Sequence, residues 1–130
     1  MKSSRVIDAE KGIFYTTVTG ELTLEEIADD MAKLAAHPDY RPGMSGVIDL
    51  RGVTKFLSEE ETARLAETIK SNPGPVPRHR RALLVRPDFS YGMYRMFEYF
   101  AEGGAIEYSV FRDEAQARAW VEEATGSIRK

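Results

Sequence analysis

The sequence predicts a single α/β domain built on a mixed five-stranded sheet, with elements in the order β-β-α-β-α-β-α-β-α. Three observations predict it. Short runs rich in β-branched and aromatic residues alternate with amphipathic stretches of helical period. The first two such runs follow each other directly across a glycine-closed connection. The later ones are each separated by a helix, which implies parallel pairing through right-handed crossovers.

The elements follow in order. Val6-Ile7-Asp8 and the run Ile13 to Thr19 flank Ala9-Glu10-Lys11-Gly12, so they form an antiparallel hairpin. Thr23-Leu24-Glu25-Glu26 has capping-box spacing and opens a helix. Leu24, Ile27, Met31 and Leu34 form its apolar stripe, and His37-Pro38 ends it. A strand from Ser45 to Leu50 comes next, then a helix opening at Ser58 with Leu65, Ala66 and Ile69 inward. The breaker-rich stretch Ser71-Asn72-Pro73-Gly74-Pro75-Val76-Pro77 is a loop, too short to join two domains. Arg81 to Val85 is a compact apolar strand, and Ser90 to about Glu102 a third helix, stopped by Gly103-Gly104. Ile106 to Phe111 is the fifth strand. Asp113-Glu114-Ala115-Gln116 has capping-box spacing again and opens a helix carrying Trp120, Val121 and Ala124 inward.

Bulk properties narrow the function. The 130 residues fit one domain, residues 1–130, large enough for a single core. A net charge of −3 gives no general attraction to nucleic acid or anionic membrane. The absence of cysteine excludes disulfides, thiolate metal sites and thiol nucleophiles. The start Met1-Lys2-Ser3-Ser4-Arg5 lacks the apolar core of a signal peptide, and no apolar run reaches the length of a membrane span. The expectation is a cytoplasmic protein with no integral membrane segment.

The stretch "GVIDLRGVTKFLSEEETARLA", from Gly46 to Ala66, together with this element order, resembles the SpoIIAA-like fold of STAS domains. Small bacterial STAS/SEC14-type proteins of unknown function are the nearest likeness. They share a hairpin, a helix running into an "HPDY"-like turn, a strand ending in D-x-R, a "YGMYRMF"-like helix and a closing "SVFRDEAQARAWV"-like strand and helix. The resemblance spans nearly the whole chain, about Val6 to Thr125. In the anti-sigma-factor antagonists of that family, a serine at a helix N-terminus accepts phosphate from a partner kinase. Asp49, Gly52 and Val53 match their pattern, and Ser58 falls in the acceptor region. Leu57 stands where they have Asp, and Glu59-Glu60 where they have Ser-Gly.

At Ser58 the physical chemistry favours a cap over a phosphoacceptor. Ser58 and Glu61 have capping-box spacing, and three glutamates in the same first turn would repel a phosphate. The segment Phe89 to Phe100 is the most unusual in the chain, with half of its 12 Phe and Tyr residues. Met93, Met96, Phe97 and Phe100 form its core face. Tyr91, Tyr94, Arg95 and Tyr99 then form a candidate partner or ligand surface. The basic cluster Arg78-His79-Arg80-Arg81 reads as a solvated strand entrance. His37 and His79 have no metal-ligand spacing, and His37 serves a helix C-terminus. Asp49 is a strand-end carboxylate, placed where α/β sheets often carry functional groups but with no nucleophile motif beside it. There is no G-x-S-x-G, Walker or dinucleotide motif, so no catalytic residue, cofactor or metal is expected. The favoured reading is a non-enzymatic interaction or regulatory domain, binding an unidentified protein partner or itself as a homodimer. The alternative is a carrier of a small apolar ligand or lipid, with the Met/Phe helix face lining a cavity.

Overall fold

The structure is a computed structural model that describes residues 1–71, 78–87 and 90–129, with side chains through Ala124. The Pro-rich loop 72–77 and Phe89 therefore lie outside the described residues. The elements are β1 (Lys2–Asp8), β2 (Ile13–Glu21), α1 (Leu24–Ala36), β3 (Ser45–Lys55), α2 (Glu59–Lys70), β4 (His79–Leu84), α3 (Ser90–Phe100), β5 (Ile106–Phe111) and α4 (Glu114–Arg129). The sheet order is β1-β2-β3-β4-β5. β1 and β2 pair antiparallel, and every later pair is parallel. Gly12 closes the hairpin at φ 71°, a conformation that favours glycine.

Each crossover advances the sheet by one strand in the same direction, so a constant right-handed sense places α1, α2 and α3 on one face. The packing agrees. Ala66 of α2 and Phe97 of α3 share a core with Leu83 and Val110, while Ala117 and Val121 of α4 pack on Ile13, Val47 and Ala82 from the other face. Strand period divides the sequence accordingly: His79, Arg81 and Leu83 face α1–α3, and Arg80 and Ala82 face α4. Phe14, Leu34 and Met44 form a third, smaller cluster under α1.

Several boundaries differ from the sequence expectation: β2 runs to Glu21 rather than Thr19, β4 ends at Leu84 rather than Val85, and α3 ends at Phe100 rather than about Glu102. β1 begins at Lys2 rather than Val6, because it is an edge strand whose polar start needs no burial. β3 continues past Leu50 to Lys55 through a register shift against β2. β4 begins at His79, ahead of Arg81. The caps also differ. Thr23 Oγ1 accepts from the Glu26 N–H, but the Glu26 carboxylate returns to the Thr23 hydroxyl and to the Met1 amine, each at 3.1 Å, rather than to the cap backbone N–H. Asp113 accepts from the Ala115 N–H at 3.3 Å rather than from Gln116.

Helix α1 is unusual in its burial. Of its apolar stripe only Leu34 is buried, and Leu24, Ile27 and Met31 are half-exposed. Polar contacts to β1 hold it at the sheet: Arg5 pairs with Asp30 at 2.7 Å, and Ser3 donates to the same carboxylate.

Candidate functional site

The half-exposed stripe of α1 covers a cavity. Met31 and Ile27 of α1, Ile69 of α2 and Met93, Tyr94 and Phe97 of α3 wall it on the helix side. Ile48, Arg81, Leu83 and Tyr108 form its floor on the sheet. Its volume is about 140 Å³. A dry apolar cavity of about 150 Å³ accepts a molecule the size of benzene. A wider cleft of about 500 Å³ adjoins it between α1 and α2, lined by Leu34, Tyr40, Leu65, His79 and Lys70. Met31, Ile69 and Arg81 belong to the walls of both, so these three side chains stand between the compartments.

Arg81 departs most from the sequence expectation of a solvated basic cluster. It is 7% exposed, and His79 is buried beside it. Both sit on the inward phase of β4, where the alternation places them. Arg80, on the opposite phase, meets the expectation only in part: it is half-buried over the Trp120 ring at 4.8 Å and paired with Glu107 and Glu123. The Arg81 guanidinium has weak company. Its Nη2 donates to Tyr40 Oη at 3.5 Å, its carbon lies 5.4 Å over the Phe14 ring, and the Tyr108 phenol is in hydrogen-bonding contact. Its Nε–H has no hydrogen-bond partner, and no carboxylate pairs with it among the described residues. Removing a guanidinium from water costs several kcal/mol even after relaxation, and neutral partners offset only part of that. Burial pushes the Tyr108 phenol above its usual pKa, against the pull of Arg81.

One row across the sheet builds this floor. Phe14, Gly46, Arg81 and Tyr108 stand in register on β2, β3, β4 and β5. Gly46 has no side chain because the Phe14 ring fills its place: a Cβ built there would meet ring atoms at 2.3 Å. The bare backbone lets the ring lie toward Arg81.

The four residues expected to form one surface on α3 separate. Tyr94 is 8% exposed and lies in the cavity wall, so it does not belong to an outer face. The Arg112 guanidinium covers the half-buried Tyr91 ring at 4.6 Å. Arg95 and Tyr99 remain on the outer face one turn apart, Tyr99 at 72% exposed and Arg95 paired with Glu98 at 3.3 Å. Glu98 also accepts from the Val110 N–H at 3.0 Å, tying α3 to the edge strand β5. Nothing in the helical period of the sequence marked that contact.

Ser58 caps α2 with both halves of the box. The Glu61 N–H donates to Ser58 Oγ at 3.2 Å, and the Ser58 N–H donates to Glu61 Oε1 at 3.0 Å. Such a cap contributes about 1 kcal/mol. These bonds hold the Glu61 carboxyl below its usual pKa. Asp49 is not at the end of its strand, because β3 continues past it; it marks only the end of the pairing with β4. Its carboxylate accepts from Arg51 Nε at 3.0 Å and Nη2 at 2.8 Å, and Arg51 also reaches Glu114 of α4 at 3.1 Å. The Arg51 hydrogen bonds hold Asp49 below its usual pKa despite partial burial. This network joins β3 to α4 on the face opposite the cavity. The Nδ1 of His37 accepts from the Asp39 N–H at 3.1 Å, shaping the turn after α1. Among the described residues no group of three acids or histidines is placed to hold a metal, and no helix is long and apolar enough to cross a membrane.

The fold is SpoIIAA-like, the class that the sequence pattern implies. An uncharacterized protein of the DUF3478 family with a SpoIIAA-like fold, from Shewanella loihica PV-4, superposes with a TM-score of 0.53 at 18% identity. The match covers 84% of this chain and 83% of that one. No family model matches the sequence, and no curated protein matches it. Identity at this level carries the architecture and not the activity.

Proposed function

We propose that this domain is a non-enzymatic binding protein whose ligand is a small apolar molecule held between the sheet and helices α1, α2 and α3. The observation that carries the reading is the cavity of about 140 Å³, walled by Ile27, Met31, Ile48, Leu83, Met93 and Phe97. A filled core would have closed that space, since interiors pack to the density of organic crystals. Methionine on two of the walls suits a site that adapts to its occupant. Toluene tests it. Titration with toluene should shift the methyl resonances of Ile48, Ile69 and Leu83 saturably. Shifts confined to surface methyls such as Val6, or none, would end the proposal.

A second reading, binding of a protein partner or of another copy, is favoured by Tyr99 and Arg95 on the outer face of α3. Tyr and Arg are enriched among residues that dominate interface energy. Sedimentation of the parent and of Tyr99→Ser tests the self-association form. A monomer at every concentration would remove the homodimer, whereas a dimer that Tyr99→Ser dissociates would establish it.

A further inference from the structure

We propose that the cavity selects an anionic occupant: a small monocarboxylate with an aryl or short acyl body, its carboxylate paired with Arg81. This deepens the apolar-ligand reading and rests on it. A buried guanidinium normally sits against a carboxylate, in a two-bonded pairing that its planar fork matches. Here Arg81 is buried, its Nε–H lacks a partner, and its neighbours Tyr40, Tyr108 and Phe14 are all neutral. It stands in the wall of a mostly apolar cavity, so a ligand's carboxylate could meet the charge while its body filled the space beside Ile48 and Leu83. The acid in that wall, Asp30, does not compete for Arg81, because Arg5 and Ser3 hold its carboxylate. Size sets the class of body. About 140 Å³ holds a ring or a short chain.

The position of Arg81 is also fixed by the sheet. The residue facing it on β3 is Gly46 and that on β5 is Tyr108, so no flanking side chain in the row can supply a negative charge at neutral pH. An added anion would complete the pairing.

Benzoate, toluene and inorganic phosphate, titrated separately into the ¹⁵N-labelled full chain, decide the matter. Benzoate should bind at least tenfold more tightly than toluene and should shift the Arg81 Nε–H resonance. Arg81→Met should reduce benzoate affinity at least tenfold, to no more than that of toluene in the same variant. Should Arg81→Met fail to fold, the Arg81 Nε–H response in the parent protein decides alone: no shift with bound benzoate overturns the proposal. Toluene binding as tightly as benzoate also overturns it, yet leaves the apolar-ligand reading standing. Phosphate binding as well as benzoate overturns it too, reducing the site to one for an inorganic ion. Binding of none of the three defeats both readings.

Discussion

Replacing Gly46 with alanine should destabilise the domain although it adds a single methyl group. The new Cβ would lie 2.3 Å from two atoms of the Phe14 ring and 2.5 Å from a third. Carbon atoms in favourable contact stand about 3.5–4.0 Å apart, so the ring must retreat by more than about 1 Å. It has little room to do so. Phe14 is 1% exposed, clustered with Leu34 and Met44, with Tyr40 edge-on at 6.3 Å and Arg81 over its face. Overpacking of this kind costs about 1–3 kcal/mol. The lost backbone freedom of the unfolded chain returns about 0.4–1 kcal/mol. The net loss should be about 1–2 kcal/mol, which for a domain of this size lowers Tm by about 4–10 °C. Urea unfolding followed by Trp120 fluorescence measures it directly, provided the slope is unchanged. Phe14→Leu, which shortens the ring side chain, should recover at least about 0.5 kcal/mol when combined with Gly46→Ala. A Gly46→Ala protein as stable as the parent would refute the reasoning, for the ring would then be free to yield and the row across the sheet would not be tightly packed.

The two tyrosines of α3 should behave oppositely. Tyr94→Ala should cost about 3 kcal/mol or more of stability, as loss of a buried ring does, while Tyr99→Ser should stay within about 0.5 kcal/mol in the same urea assay. Asp49 predicts a pH dependence. Because Arg51 depresses its pKa in the folded state, its stabilisation is complete above the ordinary aspartate value of 3.8 and is lost as pH falls through the lower folded value. Asp49→Asn should therefore cost up to about 1 kcal/mol at pH 7, a modest figure for a partly exposed pair, and should flatten the acid limb of the stability profile. Urea midpoints of parent and variant across the acid range compare the two limbs.

The fold was legible because its signals are repeated and mutually consistent. Hairpin, crossover helices and closing helix each carry a periodicity, and a right-handed crossover leaves one face for α1–α3. What escaped reading had no apolar contrast to reveal it. Lys2-Ser3-Ser4-Arg5 forms an edge strand from polar residues, and Arg51-Gly52 continues β3 through an irregularity in register. Arg81 was the instructive miss. Its place in the alternation His79, Arg81, Leu83, Val85 put it on the buried phase, but the charge of the cluster Arg78 to Arg81 outweighed that signal. Ser58 could be read as a cap because the box is local. The cavity entered the sequence reading only as an alternative, through the Met/Phe face of α3, because the same stripe of Leu24, Ile27, Met31 and Leu34 fits a helix seated on a solid core and one that roofs a hollow. Tyr94 misled for a related reason, since a tyrosine at the edge of a stripe turns inward only when there is space to receive it.

The manner in which α1 is attached has a kinetic corollary. A helix with one buried side chain, fastened by Arg5, Ser3 and the terminal amine to Asp30 and Glu26, can lift from the sheet while the cores under α2, α3 and α4 stay intact. Its amides should exchange with solvent through a local opening of lower free energy than global unfolding. An occupant of the cavity would then leave at the rate of that opening. Residence time would follow the strength of a few polar tethers on the first strand, and a more stable domain would not hold its ligand longer.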